Sequence, residues 1–148
     1  MIRLLNLTTA GILATVSALI ASDTDAHHAP IMYDTSAAVS ITGTVVRFEQ
    51  VAPHSFIIVE QATDSGPVEW AIEGPAPIQL ARRRLEDAVR AGDSIEACGY
   101  LLREPRTENP RTLMVAEVVV MPDGKARIWS PYGNEHCREQ KRYELAEQ

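Results

Sequence analysis

Residues 39–74 hold three apolar runs in quick succession, and no other stretch restricts the fold so tightly. Val39, Ile41, Gly43 and Val45 alternate with Ser40, Thr42 and Thr44. That period of two turns one face of a strand toward a core. Gly43 inside the run marks a bulge or a sharp coil. Val51-Ala52-Pro53 interrupts the pattern, because proline has no N–H to give a ladder. Residues 56–59 form a second strand, apolar on both faces, and Asp64-Ser65-Gly66-Pro67 is a turn by composition. Val68, Trp70 and Ile72 then alternate with Glu69, Ala71 and Glu73. Trp70 is expected to anchor the core. Glu69 and Glu73 are expected to point to solvent as a hydrated face rather than an acid/base pair.

The remainder supplies a helix and two further strands. Pro77 suits a first helical position, and Ile78, Ala81, Leu85, Ala88 and Val89 recur at helical spacing, which predicts a helix over 78–89. Gly92 follows where a C-terminal cap belongs. Arg82 and Arg83 are expected to point outward. With Arg84 they form a solvated face or, alternatively, a patch for a partner or an anion. Asp93 opens a fourth strand with Ile95, Ala97, Gly99 and Leu101 on one face and Glu96, Cys98 and Tyr100 on the other. Residues 112–121 form a fifth, with Met114, Ala116, Val118 and Val120 inward and Glu117 outward. Pro122-Asp123-Gly124 is a turn. Three strands, a helix and two strands predict a mainly β fold, a small five-stranded OB-like barrel with one helix between strands three and four. A split β-sandwich is the alternative.

The chain of 148 residues suits one domain. Its formal charge of −6 and 5% aromatic content argue against nucleic acid, which calls for cationic grooves and stacking surfaces. Residues 1–26 have the form of an export signal: Arg3, a mostly apolar run over 4–20, then Thr24-Asp25-Ala26 as a cleavage site. The apolar run is short for a membrane span of roughly 20 residues. A periplasmic or secreted protein is therefore expected, not an integral membrane protein once the signal is cleaved. The expected divisions are a signal at 1–26, an arm at 27–38, the barrel at 39–123 and a tail at 124–148 that ends in a short polar helix. The two cysteines, Cys98 and Cys137, are even in number. Free thiols and metal ligands are alternatives, but no C-x-x-C is present. Export and the outward phase of Cys98 favour a disulfide that staples the tail to the fourth strand.

Cleavage after Ala26 leaves His27-His28-Ala29-Pro30 as the mature start. A terminal histidine can chelate a metal through its amine and its ring together. A third nitrogen completes a set suited to copper as Cu(II). His54, in the loop after the first strand, is the leading candidate, with His28 and His136 as others. The competing reading is a flexible arm whose histidines bind nothing.

The chain from residue 26 to residue 124 resembles a family of small exported bacterial proteins of unknown function. The residues that carry the resemblance are Ala26-His27-His28, Thr42-Gly43-Thr44-Val45, Pro53-His54, Glu69-Trp70-Ala71-Ile72-Glu73-Gly74, Gly92-Asp93 and Pro122-Asp123-Gly124. Ala52 stands where the family has Asn, and Ala91 where it has Pro. The resemblance implies export and a small β-barrel, and it supplies no activity. Three functions then compete: a copper or other metal-binding module using His27, His28 and His54; an envelope protein–protein interaction module without catalysis; and an OB-like binder of oligosaccharide or nucleotide. An enzyme is disfavoured, since no Ser–His–acid pattern and no glycine-rich phosphate loop occur.

Overall fold

A computed structural model describes residues 32–104, 111–130, 136, 137 and 143. The expected signal, His27 and His28 lie outside these residues. Strand β1 spans Val39–Val51, β2 His54–Thr63, β3 Gly66–Gly74, β4 Ser94–Leu101, β5 Thr112–Val120 and β6 Ala126–Ile128. Helix α1, Pro77–Arg82, lies between β3 and β4. The antiparallel pairs β1–β2, β2–β3, β1–β4 and β4–β5, together with a parallel β3–β5 pair, close a five-stranded barrel in the OB order. β6 pairs antiparallel with β5.

The alternation in β1 places Ile41 and Val45 in the core beside Ile57, Val59, Trp70, Ile72, Ile95, Ala97 and Met114. Trp70 is buried as expected, and its Nε1–H donates to Gln61 Oε1 at 3.0 Å. The bulge in β1 falls between Val45 and Arg47 rather than at Gly43. Gly43 answers a spatial need instead, because a Cβ there would stand 2.5 Å from Val59 Cγ1 and 2.6 Å from the Glu60 carbonyl oxygen.

The helix is half the expected length. It ends in a Schellman motif: Arg84 has φ 54°, its N–H bonds the Ala81 oxygen at 3.1 Å, and Leu85 N–H bonds the Leu80 oxygen at 2.9 Å. Leu80 and Leu85 are both buried, the apolar contact that accompanies this stop, and Val89 reaches the core from a loop. Gly92, with φ 93°, belongs to the turn before β4, where its N–H bonds Val45 O at 2.8 Å.

Two further expectations change. Met114 and Ala116 face the core, but Val118 and Val120 face outward, and Val119 and Met121 take the inner positions. The phase flips because Cys98 stands opposite Val118 while Gly99 stands opposite Ala116, which leaves Glu117 as the extra residue of a bulge. Trp129, expected in the tail, is fully buried in the barrel core and lies 6.1 Å from the ring of Phe48.

Candidate functional site

Three elements meet around the start of β2. The two-residue turn Ala52-Pro53 joins β1 to β2, with Val51 paired to His54. The β2–β3 register sets Phe56 opposite Glu73, so His54 and Glu73 are diagonal neighbours on one face of that hairpin. His54 Nδ1 lies 3.2 Å from Glu73 Oε1, with side chains 17% and 13% exposed. The Tyr33 hydroxyl donates to the other oxygen, Glu73 Oε2. Ser55, fully buried beside His54, donates its hydroxyl to the Pro75 oxygen at 2.7 Å and fixes the start of β2.

Tyr33 arrives from the N-terminal arm, which is held along the end of β4. Tyr33 bridges to Leu102, Asp34 N–H bonds the Leu101 oxygen at 2.8 Å, and Arg103 N–H bonds the Met32 oxygen at 2.9 Å. Arg103 Nε also donates to the Tyr33 backbone carbonyl oxygen at 2.9 Å. Asp34 caps the bend that follows through Ser36, whose side-chain and backbone hydrogen bonds hold the carboxyl below its usual range. The arm thus delivers a phenol to a carboxylate that already faces an imidazole.

Glu73 is therefore not a solvent-facing residue, contrary to the alternation argument. The arm covers that face of β3 near its end. Glu69 is more open and pairs with Arg111, just before β5. Tyr33 and Glu73 are the partners that reading single residues missed. The two-residue turn at Asp64-Ser65 does fix the hairpin register, and with it the placement of Glu73 beside His54. The arm's route along β4 has no comparable signal.

The other candidates lie apart. Arg82 and Arg84 are exposed, but Arg83 is half-buried and donates to the carbonyl oxygens of Ile128 and Trp129. Its outward orientation is corrected: the early end of α1 turns that guanidinium toward β6, and burial lowers its pKa. Arg84 instead lines a groove of about 350 Å³ with Leu85, Arg90, Met121 and Arg127, the last of which pairs with Asp123 at 3.0 Å. Cys98 and Cys137 lie at disulfide distance, with Cα atoms 5.8 Å apart. His136 stands edge-on to Tyr100 on the outer face of β4, in a different neighbourhood from the His54–Glu73 pair. Among the described residues, no group of three or more His, Cys, Asp and Glu is placed to hold a metal ion. No helix among them is long and apolar enough to cross a membrane.

No curated protein matches the sequence. The crystal structure of the small single-stranded DNA-binding protein from Streptomyces coelicolor is similar over 56% of this chain and 89% of that chain, at 18% sequence identity and a TM-score of 0.39. A likeness at that level says nothing about what this barrel binds. A family model described as a family of unknown function (DUF6152) matches residues 15–114, over half of the sequence, and the chain belongs to that family.

Proposed function

We propose that this chain is an exported metal-binding module, with a Cu(II) site built from His54 and the mature N-terminus. The observation that carries the proposal is the His54–Glu73 contact at 3.2 Å. Metal-binding imidazoles are commonly oriented by a carboxylate on the second ring nitrogen, which fixes the tautomer and raises ligand basicity. In this reading Glu73 orients the ring through Nδ1, and the metal is taken on Nε2. The remaining donors come from His27, through its amine and ring, and from His28. Tyr33 supports their delivery, because its hydroxyl sits on Glu73. From Tyr33 back to His27 is six residues, up to about 20 Å of extended chain, which suffices to return to His54. Affinity falls as pH drops, since amine and imidazoles must shed protons to bind.

The test is a competition titration of Cu(II) with protein that begins at His27. It is run beside His54→Ala, Glu73→Gln and an N-acetylated form. Loss of the orienting carboxylate should weaken binding about 10–100-fold, with losses at least as large for His54→Ala and for acetylation. Parent-like binding by His54→Ala and by the acetylated protein overturns the proposal.

An envelope interaction module is the second reading. It is favoured by two exposed apolar residues, Val51 at 69% and Ile78 at 60%. Val51 precedes the turn into β2 and Ile78 lies in α1; the Ser55 N–H bond to the Pro75 oxygen at 3.1 Å ties β2 to the approach to α1.

A further inference from the structure

Of the arginine run 82–84, only Arg84 reaches the groove between the loop that follows α1 and the β5–β6 turn. Both walls of that groove are fixed by hydrogen bonds. On the loop side, Arg90 N–H donates to Asp93 Oδ2 at 2.7 Å, Gly92 N–H to the Val45 oxygen at 2.8 Å, and Gln50 Nε2 to the Glu86 oxygen at 2.6 Å. On the turn side, Gly124 N–H donates to the Met121 oxygen at 2.9 Å and Lys125 N–H to Asp123 Oδ1 at 3.0 Å. Leu85 and Met121 are buried and Ala88 is half-buried, so the groove has an apolar floor. Its volume of about 350 Å³ falls at the small end of ligand pockets, about 300–1,000 Å³.

Three guanidiniums and three carboxylates line the groove, and they are not equally engaged. Arg127 is held by Asp123 through two contacts, Nη1 to Oδ1 at 3.2 Å and Nη2 to Oδ2 at 3.0 Å. That pairing is the first cause of a lowered Asp123 pKa. Asp93 is turned to the Arg90 backbone. Among the described residues, no carboxylate pairs with the guanidinium of Arg84 or of Arg90. Arg84 also stands on an unusual backbone: its φ is 54°, at the position past a helix end where glycine is the ordinary residue. A left-handed backbone that nonetheless carries a long basic side chain points to a use for that side chain.

We propose that this groove binds a small organic monocarboxylate with an apolar body. Arg84 and Arg90 take the carboxylate, since the guanidinium fork matches a planar two-oxygen anion. Leu85, Ala88 and Met121 take the apolar part, and contact removes both surfaces from water. The aspartates set the charge limit. The formal charges of the lining side chains cancel, three against three, and the whole chain carries −6. A phosphate dianion or a nucleic acid is drawn by a net positive field, and this groove offers none. Asp87, exposed at the rim, opposes a second negative charge on the ligand. The groove shares no residue with the His54–Glu73 pair, and its ligand needs no metal.

The experiment titrates nitrogen-15-labelled protein with four probes: hexanoate, acetate, hexanol and inorganic phosphate. Hexanoate should shift the amides of Leu85, Ala88, Met121 and Asp123 saturably and bind more tightly than the other three. Arg84→Gly keeps the left-handed turn, because glycine adopts that φ freely, and should be no less stable than the parent in thermal unfolding. It should nevertheless weaken hexanoate binding about tenfold, as should Arg90→Gln, through loss of a charged donor. Arg82→Gln, outside the groove, should bind as the parent does. The absence of a saturable shift at those amides overturns the proposal, and so does parent-like binding by either Arg84→Gly or Arg90→Gln. Acetate, hexanol or phosphate binding as tightly as hexanoate also overturns it, because the site would then read only the charge, only the apolar body or any anion.

Discussion

Replacing Gly99 by Ala should be among the most damaging single-atom-group changes available to this barrel. A Cβ at residue 99 would stand 2.0 Å from the Val115 carbonyl oxygen, 2.7 Å from Ala116 Cα and 2.8 Å from the Val115 carbonyl carbon. All three are backbone atoms of β5, so no side chain can turn aside. β4 would have to withdraw by about 1 Å or more beside the bulge, where Cys98 pairs with Val118 and Tyr100 with Val115. Overpacking of this kind costs about 1–3 kcal/mol, and one or two weakened ladder bonds add about 0.5–1.5 kcal/mol each. A loss of about 3 kcal/mol is expected, which is about 10 °C in Tm for a domain of this size. Urea denaturation at constant m-value measures it. Gly66→Ala is the control: φ is 111° there but nothing lies within 4 Å of the added Cβ, so only conformational strain of about 1 kcal/mol applies. A Gly99→Ala protein within about 0.5 kcal/mol of the parent would refute the steric argument, since such values are typical of unconstrained surface sites.

Arg83→Ala should lose about 1–3 kcal/mol in the same assay by leaving the Ile128 and Trp129 carbonyls without that donor, whereas exposed Arg82→Ala should stay within about 0.5 kcal/mol. Arg83→Lys should not restore the loss, because an ammonium cannot span two carbonyls as a planar fork does. The Tyr143 hydroxyl is pushed up to about 12, first by burial and then by its hydrogen bond to Glu96. The folded value lies above the unfolded value of 10.0, so the contribution of this contact is complete below the unfolded value and lost as pH climbs through about 12. Difference absorbance of phenolate ionisation, parent against Tyr143→Phe, should place one tyrosine in that upper range, and ionisation near 10 would contradict the docked geometry.

Local periodicity carried most of the barrel. The alternation around Ile41, Val45, Trp70 and Ile72 fixed which faces are buried, and Pro77 placed the start of α1, because these signals depend on neighbours in sequence. What periodicity could not carry were the interruptions. Nothing local announces that Val46 and Glu117 are bulge residues; each arises from the fit of two strands far apart in the chain. The helix ends early where Arg84 turns left-handed and returns Leu85 to the core cluster that holds Leu80, a stop that helical spacing alone does not signal. For the candidate site, His54 was legible as a loop histidine beside a proline. Its partners were not: Glu73 reads as one solvent-facing member of an alternating strand, yet the arm brings Tyr33 to one of its oxygens and His54 faces the other. The cysteine pairing was legible from the expected export, the even count and the outward phase of Cys98, while the buried Glu117 required the bulge.

The most direct test of the proposed metal centre locates the ion rather than weighing its affinity. Protein beginning at His27 and labelled with nitrogen-15 is titrated with substoichiometric Cu(II), and paramagnetic broadening is read amide by amide. Tyr33, His54, Ser55 and Glu73 should broaden first, together with residues 27–29, while Tyr100 and Val118 on the outer face of the barrel stay sharp. Broadening confined to residues 27–30, with His54 and Glu73 unaffected, would contradict it.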